Sequence, residues 1–175
     1  AKRLCGHLPA AAVILAGPRD ALFVQGQPSP QELAVAEAML ERLGIAALRD
    51  TPISALSNGQ LRAVLLARAL ACKPLALFLD EFLDSLDAEA QETAARAVAQ
   101  AARGGTAVVV TSHQGAPLPP GPARAITLSH GRVIDAGSAD AVLARYQATQ
   151  AAPIPGMVKP VPVVPPRPCP KGMPL

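Results

Sequence analysis

Aromatic residues are almost missing from this chain. It has no tryptophan, one tyrosine and three phenylalanines among 175 residues, so leucine, valine and alanine must fill any core. Interleaved basic and aromatic side chains, the usual footprint of nucleic-acid binding, are lacking as well. Charge of one sign is equally scarce: 16 Lys and Arg against 13 Asp and Glu leave a net charge of +3. That is too mild to attract a polyanion, so no nucleic-acid partner is expected. Cys5, Cys72 and Cys169 are far apart and lack metal-ligand spacing. They suit free thiols in a reducing compartment rather than a disulfide framework. No apolar run reaches the ~18 residues of a membrane span. Lys2 and Arg3 precede an apolar stretch, but His7 and Pro9 interrupt it and Arg19-Asp20 follow at once. This is a poor secretion signal, and the expectation is a cytoplasmic protein that is not secreted.

The informative stretch is residues 56 to 87. Ser57, with Gln60 three residues later, is a capping box that satisfies backbone N–H groups at a helix start. Gly59 leaves room there for another molecule, and a helix start with its free donors and positive dipole end suits a phosphate. After Lys73-Pro74 comes the apolar run Leu75-Ala76-Leu77-Phe78-Leu79, ending in Asp80-Glu81. Five apolar residues bounded by proline predict a strand buried on both faces of a parallel sheet. The two acids then lie at its carboxyl end, where open α/β sheets bind ligands. Successive strand residues point to opposite faces, so one carboxylate can hold Mg²⁺ while the other orients or deprotonates a water.

Together these segments resemble the ATP-binding cassette (ABC) ATPases. Leu56-Ser57-Asn58-Gly59-Gln60 is similar to the family signature, with Asn58 in place of its third residue. Leu77-Phe78-Leu79-Asp80-Glu81 resembles the Walker B strand, with Phe82 where the family usually has proline. Ser85-Leu86-Asp87 resembles the D-loop, and Val108 to His113 the strand and switch histidine. Order and spacing also fit, with 24 residues from Leu56 to Asp80 and 32 from Glu81 to His113. The resemblance implies an α/β fold, a partial P-loop NTPase with a mainly parallel sheet and flanking helices. It implies ATP and Mg²⁺ as cofactors, Asp80 at the metal, and Glu81 and His113 as the catalytic pair. Ser57, Asn58, Gly59, Gln60 and Asp87 would face the nucleotide of a second cassette, in a homodimer or a tandem chain. A membrane permease is a further implied partner, which would make the protein peripheral to a membrane.

The rest of the chain supports this reading. Ser29-Pro30-Gln31-Glu32 is a second capping box with proline at the first helical position. Leu33, Ala36, Met39, Leu40 and Leu43 then share one helical face, and Gly44 closes the helix. Val13-Ile14-Leu15 is expected to pack beneath the helices that follow. Asp87 can cap a helix from Ala88 to about Ala102, with Gly104-Gly105 ending it before a strand from Ala107 to Thr111. Such strand–helix–strand alternation implies parallel pairing. Ala125–Leu128 and Arg132–Asp135 flank Ser129-His130-Gly131, a hairpin signal, with a short helix from Ser138. The loops from Pro119 to Val133, and Asn58 itself, are similar to a soluble subgroup related to tandem molybdate/photorepair cassettes. Nine of the last 25 residues are proline, which predicts a disordered or polyproline tail. Residues 1–150 are thus expected to be a partial cassette, with a helical subdomain at about 29–71 and the Walker B, D-loop and switch-histidine half at 72–150. The tail is 151–175.

One motif of the family is not in these residues. No Gly-x-x-x-x-Gly-Lys-Ser/Thr occurs, so nothing here cradles the β- and γ-phosphates. The Q-loop glutamine is unassigned among Gln25, Gln27 and Gln31. Two expectations follow. Either the chain is part of an ATP-hydrolysing cassette whose P-loop lies elsewhere, or it is a degenerate, non-hydrolysing cassette that serves as a regulatory or binding module. The head domains of chromosome-maintenance ATPases fit poorly, since no long heptad pattern precedes the signature.

Overall fold

The computed structural model describes residues 7–19, 27–112, 119, 121 and 123–151. The chain falls into two compact units, Ala1–Ala123 and Arg124–Leu175.

The first unit contains α1 (Ala10–Leu15), α2 (Pro30–Arg42), α3 (Asn58–Ala71), β1 (Ala76–Asp80), α4 (Ala88–Arg103) and β2 (Ala107–Thr111). Local chemistry sets most of its helix starts. Ser29 and Ser57 each make a reciprocal capping box, with Glu32 and Gln60 respectively. Asp87 accepts the Ala90 N–H at the start of α4. Gly44, at φ +66°, takes the left-handed conformation just past α2. Lys73 does the same after α3 at φ +46°, a conformation that most residues with a Cβ avoid.

The core lies among α1, α2, α3, α4 and one face of the sheet. Ile14, Leu40, Ile53, Leu66, Leu83, Val64 and Val98 are its largest fully buried side chains. Val13, Ile14 and Leu15 do pack against α2 and α3 as their apolar run suggests, and Ala36, Leu40 and Leu43 form the buried face of α2. The segment entering α1 is held by main-chain bonds, with Ala10 N–H donating to Thr51 O and Ile53 N–H to Leu8 O. Gly17 follows α1 so closely against the end of α3 that a Cβ there would sit 2.6 Å from the Arg68 carbonyl oxygen.

β1 and β2 pair in parallel, with Ala76 opposite Ala107 and Asp80 opposite Thr111. The burial of β1 corrects the expectation of two covered faces. Leu77 and Leu79 are buried, whereas Ala76, Phe78 and Asp80 are exposed. Phe78 retains 75% of its accessible surface. The reason is architectural: helices cover one side of the two strands, and no described residue of this unit covers Phe78 on the other.

The second unit is a hairpin, β3 (Arg124–Ser129) and β4 (Arg132–Ser138), followed by α5 (Ala139–Ala151). His130 and Gly131, both with positive φ, make the turn. A bulge interrupts the register between Thr127 and Leu128. Arg145 of α5 donates to both carboxylate oxygens of Asp135 at 2.7 and 2.9 Å. The proline-rich stretch 152–175 lies outside the described residues.

This packing yields two predictions. Gly17→Ala is expected to lower stability by about 1–3 kcal/mol, because the atom in the way belongs to a helix backbone that cannot step aside. Urea unfolding would register this as a lower midpoint. The second concerns Glu32, whose carboxylate accepts two bonds from Arg19, at 2.6 and 2.7 Å, and further bonds from the Ser29 N–H and hydroxyl. The Arg19 guanidinium, aided by Ser29, holds its pKa down to about 2. A carboxyl depressed on folding adds stability that is complete above its unfolded pKa and lost as pH falls through the folded one. Thermal unfolding of Glu32→Gln and the parent should therefore differ at pH 6 and converge as the pH drops from 4.5 to about 2.

Candidate functional site

The carboxyl end of β1 carries the two acids, and its geometry depends on the strand beside it. Asp80 and Thr111 are register partners. Their side chains meet directly, with the Thr111 hydroxyl donating to Asp80 Oδ1 at 2.6 Å. The next residue, Glu81, leaves the strand with φ +46°. Its N–H donates to both Thr111 Oγ1 and the Thr111 carbonyl, at 3.0 and 3.2 Å. Its carbonyl accepts a long 3.4 Å bond from Arg62 of α3. A positive φ at glutamate is uncommon and carries a conformational cost, so it persists only where neighbours over-determine it. Thr111 and Arg62 are those neighbours. The sharp turn carries the chain off the strand direction directly after Asp80.

Phe82 takes φ −67° and ψ −46°. Proline adopts the same φ, so the phenylalanine keeps the backbone path expected of the usual family residue. Its ring packs against the core and lies beneath the Arg62 guanidinium, 5.9 Å from ring centroid to cation. A short 3₁₀ turn, Leu83–Ser85, then leads through Leu86 to Asp87, the cap of α4. This turn is held at two points. Gln91 Nε2 donates to the Leu83 carbonyl at 2.9 Å, and the Ser112 hydroxyl donates to Asp84 Oδ1 at 2.7 Å.

The signature segment is an exposed helix start. Ser57 Oγ accepts the Gln60 N–H at 3.2 Å, and Gln60 Oε1 accepts the Ser57 N–H at 2.9 Å. Asn58 and Gly59 open the helix, where N–H groups have no carbonyl one turn earlier to bond. Among the described residues nothing needs a glycine at 59: its φ is ordinary, and a Cβ would meet only Leu86 Cδ2 at 3.9 Å. Asn58, Leu61, Arg62, Leu65, Phe78 and Phe82 line an open groove between this helix and β1.

The structure thus brings Asp80 and Glu81 to one strand tip. It joins that tip to α3 through Arg62 and places Asp87 at the start of α4 beyond the linking turn. His113 lies outside the described residues, as does Gln25. Thr111 and Arg62 were not legible as site residues, since an isolated threonine at a strand end and an arginine within a helix carry no spacing signal. The residues present fit Mg²⁺. Asp80 is an exposed carboxylate with one oxygen fixed by a hydroxyl, a hard oxygen donor of the kind this ion prefers. No group of three His, Cys, Asp or Glu side chains gathers among the described residues.

Comparison with known proteins gives the class first. The fold is that of ATP-binding cassettes, α/β proteins of the P-loop NTPase type. The ABC transporter cassette MJ1267 superposes with a TM-score of 0.66 at 17% identity, covering 83% of this chain and 63% of its own. The dimeric cassette MJ0796, bound to ADP and Pi, superposes with a TM-score of 0.63 at 22% identity, covering 76% and 57%. Sequence then narrows the class. The ABC transporter family model matches residues 14–84, from α1 through the acidic strand tip. The L-cystine transport system ATP-binding protein TcyN of Escherichia coli is 30% identical over 131 residues, 75% of this chain and 51% of that protein. The hemin import ATP-binding protein HmuV of Streptomyces coelicolor is 40% identical over 114 residues, 65% of this chain and 40% of its own. The octopine permease ATP-binding protein P of Rhizobium meliloti is 35% identical over 111 residues, 63% and 41%. The chain therefore spans about half, or less, of the length of these relatives. Among the described residues no helix is long and apolar enough to cross a membrane.

Because Gly59 meets nothing closer than 3.9 Å, Gly59→Ala is expected to leave stability unchanged or raise it by up to about 1 kcal/mol. Denaturant midpoints measured beside those of Gly17→Ala would separate the two glycines. A clear loss of stability at 59 would assign that glycine to internal packing instead of to approach by another molecule.

Proposed function

We propose that residues 1–150 are the signature- and Walker B-bearing portion of an ATP-hydrolysing ABC cassette, completed by a P-loop outside residues 1–175. The observation that carries this reading is the strand tip, where Asp80 and Glu81 are both held by Thr111. In this reading Asp80 holds Mg²⁺, and the ion when bound supplies charge neutralisation at the phosphate oxygens. Glu81 polarises the attacking water and His113 steadies the γ-phosphate. Ser57, Asn58, Gly59 and Gln60 present a helix start to the triphosphate bound by a second cassette, with Asp87 communicating across that interface. In this reading residues 1–150 comprise a helical subdomain at about 29–71 and the Walker B, D-loop and switch-histidine half at 72–150, and 151–175 is a proline-rich tail.

The three relatives described above are ATP-binding proteins of transport or permease systems. That supports a cytoplasmic ATPase peripheral to a membrane, with a permease as partner. Asn58 and the stretch from Pro119 to Val133 instead favour the soluble tandem-cassette subgroup. The second reading is a non-hydrolysing cassette that lends its signature helix to a partner; the presence of Asp80, Glu81 and His113 together favours the first.

ATP turnover by the chain, alone and supplied with a P-loop-bearing segment, separates these readings. Alone it is expected to be inactive. With the segment it should hydrolyse ATP, and Glu81→Gln should reduce kcat by about 10²–10⁴-fold while ATP binding persists. Undiminished turnover in the Glu81→Gln variant would remove Glu81 from the catalytic role. Inactivity in the extended protein, with a change in a partner cassette's turnover, would favour the non-hydrolysing module.

A further inference from the structure

The Thr111 hydroxyl has one proton and makes two bonds at the strand tip. The Glu81 N–H can only donate, so at 3.0 Å it uses a lone pair of Thr111 Oγ1. The hydroxyl proton is thereby left for Asp80 Oδ1, at 2.6 Å. The direction of the chain of bonds is fixed: Glu81 amide to Thr111 hydroxyl to Asp80 carboxylate. One oxygen of Asp80 is pinned, so the orientation of the other is set by β2. The same hydroxyl restrains the amide of a residue whose φ of +46° needs restraint. Threonine suits this task because its branched Cβ limits χ1 and so places the oxygen. Parallel register puts it there, since Asp80 and Thr111 are direct partners. Both side chains are exposed, and exposed hydrogen bonds add little to folding. The arrangement therefore orders the two acids more than it stabilises the unit.

We propose that Thr111 is a positioning residue that orients the Asp80 carboxylate toward the metal and holds the Glu81 turn in place. The inference rests on the reading of Asp80 as the Mg²⁺ ligand and Glu81 as the water-orienting acid.

The test compares Thr111→Val, which keeps the shape and removes the hydroxyl, with Thr111→Ser, which keeps the hydroxyl. Mn²⁺ would serve as the probe, its binding followed by electron paramagnetic resonance. The protein is supplied with the P-loop-bearing segment and a non-hydrolysable ATP analogue, and Asp80→Asn runs alongside. Thr111→Val should weaken Mn²⁺ binding by about 10-fold or more, Thr111→Ser by no more than about twofold, and Asp80→Asn at least as much as Thr111→Val. Equal binding in Thr111→Val and the parent, with Asp80→Asn impaired, would overturn this inference and leave the functional reading standing. Unimpaired Asp80→Asn would overturn the reading itself and the inference with it. Equal damage from the two threonine substitutions would show that the hydroxyl is not the cause. In the 175-residue chain alone, amide exchange at Glu81 should quicken in Thr111→Val and not in Thr111→Ser. Unchanged exchange in Thr111→Val would also overturn the proposal.

Discussion

The parallel pairing of β1 with β2 is the constraint on which the candidate site depends. It is a short contact, five residues on each side, yet it aligns Asp80 with Thr111 and brings the Glu81 N–H within reach of the same threonine. A slip of one residue would turn Asp80 to the opposite face and leave the Glu81 turn without its partner. Nothing in the pairing alone forbids such a slip, since both strands are apolar runs up to their last residue. The buried side supplies the discrimination, because Leu77 and Leu79 fit beneath the helices only in the observed phase.

That phase is in turn fixed from a distance. α3 packs against α1 and α2 and, through Leu66 and Leu70, contributes to the same core that buries Leu77 and Leu79. Arg62 then reaches from α3 to the Glu81 carbonyl and covers Phe82. The helix that displays the signature segment and the strand that displays the acids are thus parts of one packed body. Gly17, pressed against the end of α3, belongs to the same body although it lies 40 residues before Ser57.

Much of this was legible in the sequence, and what was legible shares a cause. The caps at Ser29, Ser57 and Asp87, the glycine stop at 44 and the turn at His130-Gly131 are local, their partners lying within about four residues. The strand limits at Asp80 and Thr111 could be read because apolar runs end there. The features that escaped reading depend on distant partners. Nothing in Leu75 to Leu79 says what covers each face, and the structure leaves Phe78 bare. The positive φ of Lys73 and Glu81 could not be inferred, because neither is a glycine; at Glu81 it depends on Thr111, 30 residues away. Thr111 and Arg62 gain meaning only once β1 is beside β2 and α3. His113, placed by its spacing from Glu81, lies outside the described residues.

Among the described residues, the two-stranded sheet also has unpaired main-chain groups along both margins, in addition to the bare surface around Phe78. Polypeptide arriving there would add as a further strand, stitched by backbone bonds. Adhesion and alignment would then be a single process, with the ladder dictating where every incoming side chain falls.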